Sequence, residues 1–460
     1  MKKTWIILPF VSLTWAVNAQ ENLLSTPATD TTYNLQEVVV ETARKARPQI
    51  TKLDVPMKYM PLSVSGIEAK SLEVRGIRNI QDAVRFMPGI RIQTSYGAFQ
   101  QISVRGFDHA VMMIDGVRDE RSAINNSYPV PDLSAVESIE LLKGPASVLY
   151  GHSAVGGILN IVRKAPTERQ TLNARVAYGS YENKEATLGL GGKLLGPVNY
   201  YAHVNYADQE GWRDNGNSRF SGYLALNARL SEQDIIDVRA GFNRDFYGTE
   251  IGLPDIMAQD VYNTQLYLHK NDMLPGLNRE ARYNNESDFM RNDGWNISGQ
   301  YTHRFSERMK LVDRLSFSSD DINYFGTESL DYLESDEPIY DHYYWKTPTE
   351  KRYICLDTVY LSFPLRFSHI AKTVSNSLEL SGHFHTGEIK HNYMGGYSFV
   401  DLNRTSYSGY NLGDDVQGPG LYSHVSVYDP HSMGYMTSKF SKATVTHHYA
   451  NSIYLQDMIE

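Results

Sequence analysis

Tyr150-Gly151-His152-Ser153-Ala154-Val155-Gly156-Gly157 is where this sequence comes nearest to a catalytic motif. A Gly-x-Ser-x-Gly elbow holds a nucleophilic serine on a strained strand-to-helix turn. Here the second glycine arrives one residue late, because position 155 is Val, and Ile158-Leu159-Asn160-Ile161-Val162 reads as a strand where the elbow needs a helix. The loop also lacks the Gly-Lys-Ser/Thr ending of a phosphate cradle. Two histidine groupings raise metal chemistry. His383 and His385 share one face of a strand and His447-His448 are adjacent, but no carboxylate or cysteine spacing completes a ligand set, and a polar lumen lining explains them equally well. The expectation is a protein that is not an enzyme, with no catalytic residues, no metal site and no cofactor.

Charged residues ask instead for partners. The strand Ile102-Ser103-Val104-Arg105-Gly106 ends in a guanidinium that must leave the sheet or find an acceptor, since burying it unpaired is costly. Glu137 and Glu140 are the nearby acids. The element that positions these groups runs from about Val104 to Ile161, where three short apolar strands are punctuated by Gly106, Gly116, Gly144, Gly151, Gly156 and Gly157, a pattern of tight turns and close packing. Before it, Ile77, Ile80, Ala83, Val84 and Met87 fall at helical spacing, with Asn79 near the start and Pro88-Gly89 at the end. This predicts a short amphipathic helix within residues 71–90, packed on the small sheet.

The N-terminus sets the compartment. Lys2 and Lys3, the apolar stretch Trp5 to Val17 and the small-residue site Val17-Asn18-Ala19 read as a secretory signal over residues 1–19. A polar, Thr-rich stretch (20–34) follows, then Leu35-Gln36-Glu37-Val38-Val39-Val40, a β-branched run suited to adding a strand to another protein's sheet edge or serving as an ordinary edge strand. Cys355 is the only cysteine, so no intramolecular disulfide can form.

The remainder alternates. Val359, Leu361, Phe363, Leu365 and Phe367 lie on one face of a strand and Thr358, Tyr360, Ser362, Pro364 and Arg366 on the other; lipid would take the first face and a polar lumen the second. Leu224, Leu226, Ala228 and Leu230 oppose Tyr223, Asn227 and Arg229, and Leu378, Leu380 and Phe384 oppose Glu379, His383 and His385. The 460 residues are 41% hydrophobic, with 34 Gly and 32 Tyr and no apolar run of the roughly 18 residues a spanning helix needs. Such a composition fits membrane strands, half of whose residues face water, with tyrosines at the lipid boundary. Segments 247–292 and 326–350 read as long irregular loops, the second with Tyr332, Tyr340, Tyr343, Tyr344 and Trp345 at an outer rim or a ligand surface.

LQEVVVETARK, with Pro61 to Ile92 and the glycine-hinged block, resembles TonB-dependent outer-membrane receptors; Ala177 to Gly196, Asn199 to Asp214 and Ser452 to Asp457 are similar to the ferric-siderophore receptors among them. The resemblance implies an all-β transmembrane barrel with an N-terminal α+β plug domain, incomplete here at roughly half of a 22-stranded barrel. Its parts would be a signal peptide (1–19), a periplasmic linker (20–46) with the TonB box at 35–40, the plug (47–166) and the N-terminal part of the barrel (167–460). With strand edges left unpaired, the 460 residues alone are not expected to insert as a working channel.

The function so implied is import of an iron–siderophore complex across the outer membrane of a Gram-negative bacterium, by a monomer set in outer-membrane lipid and driven by TonB with its ExbB-ExbD motor, with no nucleic acid as partner. Haem, cobalamin or an oligosaccharide are alternative cargoes, and a non-transporting surface receptor or adhesin is a second class. Arg105 and Lys143 would face acids on the barrel wall, with Lys143 standing where an arginine is often seen, as a point charge rather than a fork. Ligand contacts would come from Tyr96, Phe99 and Gln100 in one apical loop and Arg118, Arg121 and Tyr128 in a second. Arginines suit anionic chelates and rings suit aromatic ones. The net charge of −9 does not choose among cargoes, because loop and lumen charges are not separated in the sum.

Overall fold

The structure, a computed structural model, describes residues 50, 52, 62–95, 99–108, 110–120, 131–144, 150, 154–249, 251–255, 259–263, 267–285, 287–410, 424–430 and 443–460. The small domain begins with β1 (Ser63–Glu68), α1 (Ala69–Val74) and α2 (Ile80–Val84). It continues through β2 (Ile90–Ser95), β3 (Phe99–Val104), β4 (Val111–Ile114), β5 (Val117–Arg118), β6 (Val136–Lys143) and β7 (Gly157–Arg163). Five strands form a mixed sheet in the order β1-β6-β7-β4-β5, with β4 parallel to β7, while β2 and β3 make a separate hairpin.

The expected helix is two short ones. Gly76, at φ 66°, interrupts the helical run, and Asn79 caps α2 by accepting from the Asp82 amide at 2.8 Å. Ile77, Ile80, Ala83, Val84 and Met87 are nonetheless all buried, packed with Ile139, Leu141, Leu159 and Ile161 of the sheet. Two turns aim charged side chains. Arg105-Gly106 and Asp115-Gly116 both have positive φ at each residue, the two-residue hairpin geometry that Asp-Gly favours. Gly157 is needed for space, because a Cβ there would sit 2.4 Å from the Leu142 carbonyl oxygen on β6.

A second, much larger sheet packs against this domain. Its strands are β8 (Thr171–Gly179), β9 (Asn183–Leu195), β10 (Val198–Gln209), β11 (Asn217–Arg229), β12 (Asp234–Tyr247), β13 (Val261–Tyr262) and β14 (Tyr267–Leu268). Beyond these lie β15 (Phe289–Ser306), β16 (Met309–Ser335), β17 (His342–Thr347), β18 (Glu350–Thr386), β19 (Ile389–Tyr410), β20 (His424–Ser426) and β21 (Thr444–Ile459). The wall strands run as antiparallel neighbours β8-β9, β10-β11-β12-β15-β16-β18-β19-β21, with β9 beside β10, and among the described residues the sheet does not close. Connections at one end are short (196–197, 230–233, 307–308, 387–388), while the other end has the tight turn 180–182 but also carries the long segments 248–288 and 411–443, as in outer-membrane barrels.

Alternation decides what each face meets. Leu224, Leu378, Leu380 and Phe384 are exposed on the outside, while Tyr223 and Glu379 are buried toward the small domain. With Trp295, Ile297, Leu315 and Phe317 they make an outward apolar band that water would not tolerate and lipid would. Ile297→Arg on this band is expected to destabilise the full-length barrel in lipid by about 2–4 kcal/mol near the midplane. Denaturant unfolding from bilayers would measure it, and an unchanged midpoint would remove this strand from the lipid boundary.

One face assignment is reversed. Val359, Leu365 and Phe367 point inward: Val359 joins a cluster with Tyr332, Tyr344 and Val425, and Leu365 and Phe367 pack with Phe99 of β3. The cause is height. β18 has 37 residues, far more than the roughly 9–11 that cross a bilayer, so its upper part stands above lipid, where apolar side chains gain by facing protein. Likewise segment 326–350 is mostly strand, not loop, and its Tyr332 and Tyr344 are core residues. Segment 247–292 holds β13 and β14, which pair with each other, and β13 pairs in turn with β17.

Candidate functional site

Polar groups fasten the small domain to the wall at a few points. The turn between β4 and β5 presents Asp115, whose carboxylate receives the Arg163 amide and Nε, each at 2.7 Å, and faces Nη1 of Arg239 on β12 at 2.7 Å. Arg163 continues to the wall, donating through Nη1 to Asn296 Oδ1 at 2.9 Å and lying 4.5 Å from the centre of the Tyr223 ring. All three charged side chains are nearly buried, at 8% (Asp115), 12% (Arg163) and 14% (Arg239) exposure. Burial alone would raise the Asp115 pKa, but the two guanidiniums outweigh it and hold the carboxyl below its usual range. Gly241 makes room, since a Cβ there would lie 2.9 Å from Arg163 Nη1.

A second point joins residues 50 and 52 to both bodies. The Ile50 amide donates to Glu140 Oε2 at 3.0 Å, and its carbonyl accepts from the Tyr150 hydroxyl at 2.6 Å. Lys52 Nζ meets Glu379 Oε1 of β18 at 2.5 Å; Tyr454 of β21 donates to the same oxygen at 2.6 Å, and Arg314 of β16 donates to Oε2 at 2.6 Å. A third point places Asp132 against Ser221 of β11, and Ser134 Oγ 2.9 Å from His203 Nε2 of β10. Between the helices and strands β8 to β12 remains a cavity of about 740 Å³, lined in part by Arg78, Arg175, Glu185, Lys164, His203 and Asn205. Apolar contacts cross the interface as well, with Phe99 against Met290 and Ile322, Ala135 against Tyr201 and Tyr223, and Ile50 and Leu142 clustered with Met394 and Tyr454, so ion pairs and small apolar clusters share the fastening around the polar gap.

The expected site residues fall in several places. Arg105 stays exposed at its turn, beside Gly144 and close to Lys143 across Gly89. Glu137 is exposed, and Glu140 is buried within the small domain, serving the Ile50 amide and the Asn160 side chain at 3.1 Å, because Asn160 is its register partner on β7. Neither cation forms an ion pair with the wall among the described residues. Phe99 is 1% exposed and packs on Met290, Ile322 and Tyr324 of the wall, so it is an anchor rather than a presented ring. Gln100 is buried, and Arg118 donates to the Tyr150 carbonyl oxygen at 2.8 Å and pairs with Glu120. Leu35, Gln36, Glu37, Val38, Val39, Val40, Tyr96, Arg121 and Tyr128 lie outside the described residues. Phe99→Leu is therefore expected to lower stability by about 1 kcal/mol while ligand affinity stays unchanged, measured by denaturation and equilibrium binding; a weakened affinity at unchanged stability would return Phe99 to the ligand surface.

Asp115, Arg163, Arg239 and Lys52 were not singled out by sequence. The Asp-Gly turn signature at 115–116 and a carboxylate on an otherwise membrane-spanning strand at Glu379 were the available signals.

Comparison with known proteins gives one family model and several relatives. Residues 56–158 match the TonB-dependent Receptor Plug Domain. The iron-regulated outer membrane virulence protein of Vibrio cholerae is 32% identical over 134 residues, 27% of this chain and 20% of that protein. The ferrioxamine B receptor of Salmonella typhimurium is 27% identical over 272 residues, 57% of this chain and 38% of that one. Among solved structures, the ferric-catecholate import receptor Fiu of E. coli K12 superposes with a TM-score of 0.70 at 19% identity, covering 89% of this chain and 58% of Fiu. The siderophore receptor PiuA of Acinetobacter baumannii gives 0.69 at 18%, covering 89% and 57%. The chain thus spans well under two thirds of the curated relatives it matches.

Proposed function

We propose that this chain, which by its plug domain and the strands around it belongs to the TonB-dependent outer-membrane receptors, binds a ferric siderophore above the plug and passes it to the periplasm when TonB pulls on residues 35–40. The observation that carries this reading is the plug lodged against the strand wall and fastened by few, nearly buried ion pairs, above all Asp115 with Arg239. Replacing a buried pair by hydrophobic residues is often neutral or stabilising, so ion pairs kept among the small apolar clusters of this contact are read as fastenings rather than as its source of stability. A gate needs contacts that break and reform. No bond of the cargo is changed, so the work is mechanical and the energy comes from the ExbB-ExbD motor through TonB. Iron chelates in the names of the ferrioxamine B and ferric-catecholate receptors support the cargo class. Arg105 and Lys143, side by side at the plug surface, are suited to acids on a facing wall, and Arg121, Tyr96 and Tyr128 to an anionic or aromatic ligand from above, whereas Arg118 is engaged by Glu120 and the Tyr150 carbonyl.

The test is uptake by a deletion strain under iron limitation, rescued by the full-length gene and fed single ferric siderophores with and without an uncoupler. Uptake of one chelate that ceases with the uncoupler is expected. Rescue by haem, cobalamin or an oligosaccharide alone would change the cargo, and surface binding with no energy-dependent entry would select a non-transporting receptor.

A further inference from the structure

We propose that Lys52 is the positioning residue that ties the start of the plug to the barrel wall and keeps the gate shut until the N-terminal segment is pulled; this rests on the import reading above. Its ammonium belongs to both bodies at once. It pairs with Glu379 of the wall and lies 4.6 Å from the ring centres of Tyr150, from the plug, and Tyr454, from the wall. Two residues earlier, Ile50 is fully buried and fixed to the plug through Glu140 and Tyr150. Plug and wall therefore share one clamp at the point where the chain enters the domain.

Sequence distance makes this clamp the first to feel tension. Lys52 follows Val40 by 12 residues, and among the described residues the first plug strand, β1, begins at Ser63. Along the chain, a pull on residues 35–40 reaches Ile50 and Lys52 before any described strand of the plug sheet.

The clamp is also built to let go and close again. Lys52 has φ 57°, a left-handed conformation unfavourable for a residue with a Cβ and kept only where the surroundings impose it, so release relaxes the backbone. Glu379 does not lose its only counter-charge when Lys52 leaves, because Arg314 and the Tyr454 hydroxyl still hold it. That avoids the large penalty of a stranded buried charge and leaves the carboxylate oriented for return. Gly396 on β19 contributes the space, since a Cβ there would lie 2.4 Å from the Tyr454 ring.

The experiment uses the full-length receptor in cells, with Cys355→Ser and any further cysteine of the full-length receptor likewise replaced by serine. Lys52→Cys with Glu379→Cys is bridged by a short, reducible bis-thiol reagent. The bridged receptor is expected to bind its ferric chelate with parental affinity, to import none of it, and to regain import on reduction. Separately, Lys52→Met should import but admit a bulky antibiotic that the parent excludes, with Lys52→Arg restoring the seal. Import by the bridged receptor at the rate of its reduced form would overturn the proposal, as would a Lys52→Met receptor as tight as the parent. If the parent imports no ferric chelate the import reading fails, whereas the antibiotic leak still decides whether Lys52 seals the gate.

Discussion

Alanine in place of Asp115 is expected to turn a closed receptor into a leaky one. The carboxylate serves two guanidiniums at once, and its removal strands Arg163 and Arg239 in surroundings that leave them 12% and 14% exposed. Removing one partner of a buried pair costs about 3–5 kcal/mol, a large fraction of what holds one body in another. The plug's own core lies elsewhere, around Ile139, Leu141 and Leu159, so the domain stays folded but seats loosely. Full-length Asp115→Ala in planar bilayers should show frequent openings without ligand, and cells carrying it should become sensitive to bulky antibiotics. Conductance equal to the parent's would mean that this ion pair does not secure the plug.

The same residue fixes a pH window. Its folded pKa lies below the ordinary value because Arg163 and Arg239 outweigh burial; unseating removes only Arg239, since Arg163 sits in the plug itself, and unfolding returns the carboxyl to near 3.9. A depressed carboxyl contributes its full stability above the unfolded value and loses it as pH falls through the folded one. The parent should therefore stay closed through mild acid and begin to open only below about pH 4. Asp115→Ala should leak at neutral pH already, with that acid limb flattened.

Parts of this arrangement were legible in the sequence because they are local. Helical spacing identified five buried positions from Ile77 to Met87, and alternation placed Leu378 outside and Glu379 inside. Alternation reports a period, however, and not which face is which. For Val359, Leu365 and Phe367 the lipid reading fails because above the bilayer the interior is itself protein, with Phe99 as one neighbour. The fastening was harder to read for a different reason. Asp115 and Arg163 are 48 residues apart, and Arg239 lies in the other body, so no spacing rule joins them. Glu140 looked available to Arg105, yet β6 and β7 set it opposite Asn160, and only the register shows this.

Proline in the run Val38-Val39-Val40 is expected to abolish energised uptake at one register and reduce it at the other, while leaving ligand affinity unchanged. A segment that joins another protein's sheet edge offers its amides on one side at alternate residues, and those bonds carry the load. Proline has no amide hydrogen and fixes φ near −65°, away from an extended partner strand. The period of two sharpens the test, because Val38 and Val39 point their amides in opposite directions. One of Val38→Pro and Val39→Pro therefore removes a load-bearing bond directly, and the other acts only through backbone angle. Uptake of labelled ferric chelate should be lost in one variant and reduced in the second, with cell-surface binding in de-energised cells equal to the parent's in both. A pull that never starts also leaves the Lys52 clamp shut, so neither variant should admit the bulky antibiotic that Lys52→Met admits. Transport at the parental rate in both proline variants would take residues 35–40 out of the coupling, and the force would have to enter the plug at another point.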